Sequence, residues 1–319
     1  INQLLDFLYT KKHIWLDGTT YAWKWNLSAI KELAVTENIA AVIINKINDI
    51  SPQSLEILTI ASCLGNIFSL SSLEHVTGLK EKDLHQLLWE AVKENIIQPL
   101  DADYKYVPEY YEENNLNLKF KFSHDRIQQA LYNLTEPDAR KNYHFKASEY
   151  DIHNQDEIDN LFITANHLVS SGDLLQKSTI KEKAAALLLE AGKKAFASAA
   201  YESALIFLSL KEELKSDKSA IEAETWGLLI QSAYMNFEEE KAAAYETKAF
   251  SVIKTKDEKV KVYESMLKGK IAINKLNEAV SLAKKVFAEL GFKMPKGVAT
   301  KFQTITAAIA TQIALPTKQ

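Results

Sequence analysis

Apolar residues recur at steps of three and four through most of this chain, and strict alternation is confined to a few short stretches. Residues 2–12 predict a first helix. In Ile14-Trp15-Leu16-Asp17-Gly18-Thr19-Thr20-Tyr21-Ala22-Trp23-Lys24-Trp25-Asn26, Asp-Gly sits between aromatic and apolar alternations, which predicts a small β-hairpin. Helical spacing returns over residues 27–33 and 39–50. Ser51-Pro52 then supplies an N-cap and a first-turn proline for a helix that ends at Gly65. Residues 69–77, closed by Gly78, and 81–95, with Leu84, Leu87, Leu88, Trp89 and Val92 on one broad face, predict two more helices. A strand over 96–100, a polar tyrosine-rich excursion over 101–117 and an alternating strand over 118–122 follow. Helix, helix, helix, strand, long wing, strand is the order of a winged-helix domain.

From Ile127 onward only helical periodicities remain. Linking helices are expected over 137–150 and 157–170. From Ile180 a helix-hairpin repeat can be registered, with Gly192, Tyr201, Ala204 and Leu208 at the small, aromatic, small and large-apolar positions of a tetratricopeptide unit. Phe237 and Leu276 take the place of Tyr201 in two later units, 36 and then a further 39 residues on. Glu240 stands where the first unit has Ala204, while Ala279 restores the pattern. Three such units make a short α-solenoid, because one helix pair cannot bury its apolar face alone, and the concave side so formed is a protein-binding surface. The alternative is a helical bundle with alanine at close crossings.

Composition agrees with a mostly α fold. Only 9 Gly and 6 Pro punctuate 319 residues, and 47% hydrophobic content suffices for real cores. A net charge of -4 removes any global electrostatic case for nucleic acid or an anionic membrane. The single cysteine, Cys63, lies in an apolar helix without basic neighbours and reads as a small core residue in a reducing compartment. The chain opens at Ile1 without a signal-peptide pattern, which suggests a piece of something longer. Its last apolar stretch, 305–315, is too short and too polar to span a membrane. A cytoplasmic location is expected.

Catalytic motifs fail one by one. Gly192-Lys193-Lys194 and Gly269-Lys270-Ile271 lack both the earlier glycine and the following hydroxyl residue of a phosphate-cradling loop. Seven scattered histidines and one cysteine give no zinc spacing, and no Gly-x-Ser-x-Gly turn exists. Carboxylate runs such as Glu112-Glu113 and Glu238-Glu239-Glu240 read as solvated faces. A DNA-reading third helix would be residues 81–95, but Lys82 and Lys93 there face Glu81, Asp83, Glu90 and Glu94, with no arginine. No catalytic residue and no metal ligand is expected in this segment.

One step is different. In Phe122-Ser123-His124-Asp125 an alternating strand runs into a helix. The bland reading makes Ser123 or Asp125 the helix cap, lets Asp125 complement the helix's positive end, and has His124 fill a polar gap.

Several stretches together resemble the region that follows the nucleotide-binding core in signalling ATPases of the STAND class, within the wider AAA group. They are Trp23-Lys24-Trp25-Asn26-Leu27 with Ile30, Thr36-Glu37-Asn38-Ile39, Leu58-Thr59-Ile60-Ala61-Ser62-Cys63-Leu64-Gly65-Asn66-Ile67-Phe68, Phe122-Ser123-His124-Asp125-Arg126-Ile127-Gln128-Gln129-Ala130, and Ala191-Gly192-Lys193-Lys194-Ala195 with Ala200-Tyr201-Glu202-Ser203-Ala204. The resemblance covers nearly the whole chain. It is strongest to bacterial proteins that join a serine/threonine-kinase-like domain, such an ATPase, a tetratricopeptide-like arm, and often a sensory domain and a histidine kinase. Resistance-type receptors of the class carry Met-His-Asp at the corresponding step. The resemblance therefore implies that His124 contacts the β-phosphate of bound ADP and that Asp125 braces the loop and caps the following helix. Ser123 replaces the methionine, so the inference rests on His124 and Asp125.

The expected organisation follows: residues 1–36 end an ATPase lid region with a small hairpin, 37–135 form the winged-helix domain, 136–178 the linking helices and 179–319 the tetratricopeptide-like repeats. The segment itself would hold no cofactor, while ADP or ATP with Mg²⁺ would sit in the parent protein. Expected partners are the upstream ATPase core of the same chain and a protein bound by the repeats, with DNA disfavoured and no membrane span. The other readings are a DNA-binding winged-helix regulator and a non-catalytic helical scaffold.

Overall fold

A computed structural model describes residues 5, 8–9, 12–28, 30, 50–100, 118–154, 161–215 and 222–291. The expected helices over 27–33 and 39–50, the excursion over 101–117 and the stretch 305–315 lie wholly or largely outside them. The described chain is mostly α-helical with two small sheets, and it divides into two compact units, Ile1–Leu187 and Leu188–Gln319. No described helix is long and apolar enough to cross a membrane.

The hairpin predicted near the start forms. β1 (Ile14–Leu16) pairs antiparallel with β2 (Trp23–Trp25), with Ile14 opposite Trp25. The connection is wider than a two-residue turn. Asp17 organises it, pairing with Lys24 and accepting from the Thr20 and Thr19 amides at 3.0 and 2.8 Å, which together hold its carboxyl down at about 2.

Three helices and a three-stranded antiparallel sheet follow. α1 (Pro52–Leu64) starts at Ser51, whose hydroxyl accepts from the Ser54 amide, and stops at Gly65. β3 (Ile67–Ser69) leads directly into α2 (Leu70–Thr77), capped by Ser69 and closed by Gly78 at φ 75, where a left-handed turn favours glycine. α3 (Glu81–Lys93) turns through Asn95, also left-handed, into β4 (Ile97–Pro99); β5 (Lys119–Phe122) then runs between β3 and β4. β3 is a correction to the sequence reading, which ran from helix to helix there. It spans three residues between a glycine stop and a serine cap, too few for alternation to register.

The sheet's alternation decides its orientation. Phe120 and Phe122 point into the core and pack on Phe68 at ring distances of 5.8 and 5.6 Å, while Lys121 faces outward. Leu58, Leu70, Leu73, Leu84, Leu88 and Ile97 complete that core. Of the broad face expected on α3, Leu84 and Leu88 are buried with Ala91, but Trp89 is 37% exposed and Lys93 lies over its ring.

α4 (Asp125–Leu134), α5 (Pro137–His153) and α6 (Leu161–Ser170) come next, α5 running three residues beyond its expected end, followed by a 3-10 turn (Gly172–Lys177). α7 (Lys181–Ala197), α8 (Tyr201–Leu214), α9 (Ala223–Met235), α10 (Glu239–Val252), α11 (Lys256–Ala272) and α12 (Leu276–Glu289) form three successive helix hairpins. In the second unit Trp226, Leu229, Ile230 and Ala233 of α9 pack against Leu205 and Leu208 of α8, Ala242 of α10, and Val262 and Met266 of α11.

The three hairpin turns are one structure repeated. Ala199, Phe237 and Asn274 each take a left-handed conformation, at φ 59, 58 and 63. In each turn the next amide bonds a carbonyl five residues back: Ala200 to Ala195, Glu238 to Ala233 and Lys275 to Lys270, at 2.9, 2.9 and 2.8 Å. The turns lie 38 and then 37 residues apart, which corrects the register assigned to the second hairpin. Phe237 corresponds to Ala199, not to Tyr201. The buried small residue equivalent to Ala204 and Ala279 is therefore Ala242, and Glu240 is exposed.

Candidate functional site

The strand-to-helix step is built by the central strand. β5 is hydrogen-bonded on both sides, and beyond its last residue the Ser123 amide still donates to the Ile96 carbonyl at 2.9 Å. The Ser123 hydroxyl lies 3.3 Å from the Asn95 side-chain oxygen, which also accepts from the Gln98 side-chain Nε2 at 2.9 Å. This pins the chain up to the residue before His124. From the other side Gln128 of α4 reaches the Ser62 carbonyl of α1 at 2.7 Å.

His124 itself is the N-cap of α4. Its backbone is extended, and its Nδ1 accepts from the Arg126 amide at 3.1 Å. Neither Ser123 nor Asp125 takes that place, and His124 is exposed instead of filling a gap in the fold. Asp125 occupies the first turn, also exposed, where its charge complements the helix's positive end. With Nδ1 engaged as an acceptor, the neutral ring carries its proton on Nε2. The step therefore presents an imidazole N–H donor with the exposed Arg126 guanidinium beside it in sequence. Such a shelf can donate to an anion from one side. It encloses nothing by itself, and among the described residues no group of three or more His, Cys, Asp or Glu could hold a metal ion.

The acidic face expected on α3 is partly spent inside the fold. Glu90 accepts from the Ser51 amide at 3.1 Å, the Ser51 hydroxyl at 2.7 Å and the Ser54 hydroxyl at 2.8 Å, which hold its carboxyl below the usual range. What α3 exposes is Lys82, Asp83, Gln86, Trp89, Lys93 and Glu94, a surface with balanced charge. Cys63 is buried as expected, and burial pushes its thiol up, away from reactivity.

A second polar cluster was not anticipated. His144 of α5 and His167 of α6 are both buried, with their Nδ1 atoms 2.9 Å apart, and the Tyr132 hydroxyl of α4 lies 3.0 Å from His144 Nε2. Arg140 stacks on the Tyr132 ring and donates to the Thr135 carbonyl at 2.7 Å. Desolvation holds His144 down at about 4 and His167 at about 3. The signal in the sequence was a histidine inside the apolar run Leu161-Phe162-Ile163-Thr164-Ala165-Asn166-His167-Leu168.

Part of the chain is similar to hybrid signal transduction histidine kinase G of Dictyostelium discoideum, at 26% identity over 163 residues covering 44% of this chain. The match spans 5% of that protein's length. No family profile matches the chain, and no solved structure matches it.

Proposed function

We propose that the chain is a regulatory and protein-interaction segment of a signal-transduction ATPase of the STAND/AAA type. In this reading residues 37–135 are a winged-helix module, α5 and α6 are linking helices, and α7 to α12 are a tetratricopeptide-like arm. The arm passes the nucleotide state of an upstream core to a bound partner or a kinase output. The segment has no catalysis of its own.

The observation that carries this reading is the placement of His124. It leaves the central strand of the sheet at a fixed position, spends Nδ1 on its own helix and offers Nε2–H to whatever lies outside. A phosphate oxygen of ADP held by the upstream core is the ligand that such a donor suits. The loss of one wall of contacts on nucleotide exchange would then move the module as a body and alter what the arm presents. The partial similarity to a signal transduction histidine kinase supports a signalling context. The repeated turns of the second unit support a stacked-hairpin arm.

The test separates capping from ligand contact. In the full-length protein, His124→Asn keeps an N-cap acceptor and replaces the outward imidazole Nε2–H by a shorter amide that does not reach as far. Release of a fluorescent ADP analogue should quicken by roughly tenfold or more, as expected for loss of one charge-assisted hydrogen bond. Unchanged release from H124N would end the proposed contact. Asp125→Asn, which leaves the cap intact, should change release by less.

A further inference from the structure

The buried histidines favour one arrangement of protons. A 2.9 Å approach of two imidazole nitrogens requires one to donate and the other to accept. The Leu64 carbonyl at the end of α1 lies toward His167 and favours a proton on its ring. A carbonyl only accepts, so it favours the tautomer in which His167, with Nδ1 turned to His144, carries its proton on Nε2. Neutral His167 then offers a lone pair on Nδ1, and His144 donates to it from its own Nδ1. That leaves His144 Nε2 as the acceptor for the Tyr132 hydroxyl. The chain runs one way, from Tyr132 through His144 and His167 to Leu64, and is complete only with both rings neutral.

We propose that this relay is an acid-sensitive fastener that holds α6, through α5, against α4 and the end of α1. The first proton can be carried by rotating the Tyr132 hydroxyl, but it leaves a buried cation. A second sets one Nδ1–H against the other. The surroundings offer no compensation. α1 presents the Leu64 carbonyl, and α4 presents Tyr132. On α5 the nearest charge is Arg140, which has the same sign, while Tyr143 lies toward Cys63 and Glu56. Asp151 of α5 is engaged by Thr164 at 2.7 Å, two helical turns from His144. His75 of α2 meets Tyr150, and Asp173 of the 3-10 turn pairs with Lys141 on the surface. No carboxylate faces either imidazole among the described residues.

Each ring therefore takes up its proton when the fastener opens, at an ordinary value of 6.5. Lowering the pH from about 7.5 to about 5.5 should raise the opening equilibrium about tenfold per imidazole and about a hundredfold for both. Amide hydrogen exchange on the full chain, corrected for intrinsic rates, should show this rise in α6 and not in β5. Imidazole nitrogen NMR at neutral pH should show His144 protonated on Nδ1 and His167 on Nε2. A rise below about threefold, an equal rise in β5, or both rings protonated on Nε2 would overturn the proposal. His167→Phe should cut the rise in α6 from about a hundredfold to about tenfold. If that variant fails to fold, the tautomers and the exchange of the unmodified chain decide.

Discussion

At the scale of single residues, His124 shows how one side chain can serve the fold and still face outward. Its Nδ1 closes the first turn of α4, so His124→Ala should lower stability by about 1 kcal/mol, measurable by urea denaturation, whereas H124N should be nearly neutral. The step's location was legible, because alternation ending before an amphipathic helix is a local signal. The capping role was not, since Ser and Asp on either side are the commoner cap residues and only backbone geometry selects between three neighbours. His144 and His167, 23 residues apart and on different helices, carry no joint signal in sequence at all. Their folded values of about 4 and 3 lie below the ordinary 6.5, so the unfolded chain takes up protons first. The sign is then fixed: their contribution is intact above about pH 6.5, is lost as the pH falls toward 4, and changes little below 3. Thermal melts across that range should show a declining midpoint, and His144→Phe with His167→Phe should flatten its part above about pH 5, where Glu90 and Asp17 do not yet titrate.

At the scale of elements, caps proved more informative than periodicity. Ser51-Pro52, Gly65 and Gly78 set helix ends where the sequence placed them, because each acts within one turn. The repeat register failed for the opposite reason. Matching the aromatic Phe237 to the aromatic Tyr201 ignored the turn, whose left-handed residue sets where the next helix begins and hence which alanine is buried. Phe237 is 78% exposed in that conformation, which a residue with a Cβ adopts at a cost of about 1–2 kcal/mol. Phe237→Gly should therefore raise stability by roughly 0.5–1 kcal/mol in a thermal melt, after its own gain in unfolded-chain freedom. Gly269 is the contrary case. A Cβ there would lie 2.4 Å from the Tyr234 ring, and that tyrosine is held by Glu246 at 2.7 Å. Gly269→Ala should cost about 1–3 kcal/mol by the same measurement.

At the scale of the whole molecule, the boundary between compact units falls inside α7, between Leu187 and Leu188. Composition and repeat spacing placed a boundary near residue 179, at the start of that helix. A fragment beginning at 188 discards almost half of α7 while keeping Gly192 packed against Leu208. It should melt lower and less cooperatively by circular dichroism than one beginning at 179, because a shortened helix loses hydrogen bonds without shedding its entropic cost of initiation. The first unit's core was legible through Phe120, Phe122 and the leucines of α1 to α3, since alternation and helical spacing both pointed inward.

The central place of β5 has a mechanical consequence. A pull on His124 along the strand axis loads the β3 and β5 ladder and the β4 and β5 ladder side by side, so the two must shear together. Peeling forces would break such bonds one at a time, but this exit from the sheet offers no edge to peel. Displacement of the imidazole would then be transmitted to Phe120 and Phe122 and through them to the three helices beneath, as movement of a stiff lever instead of the give of a hinge.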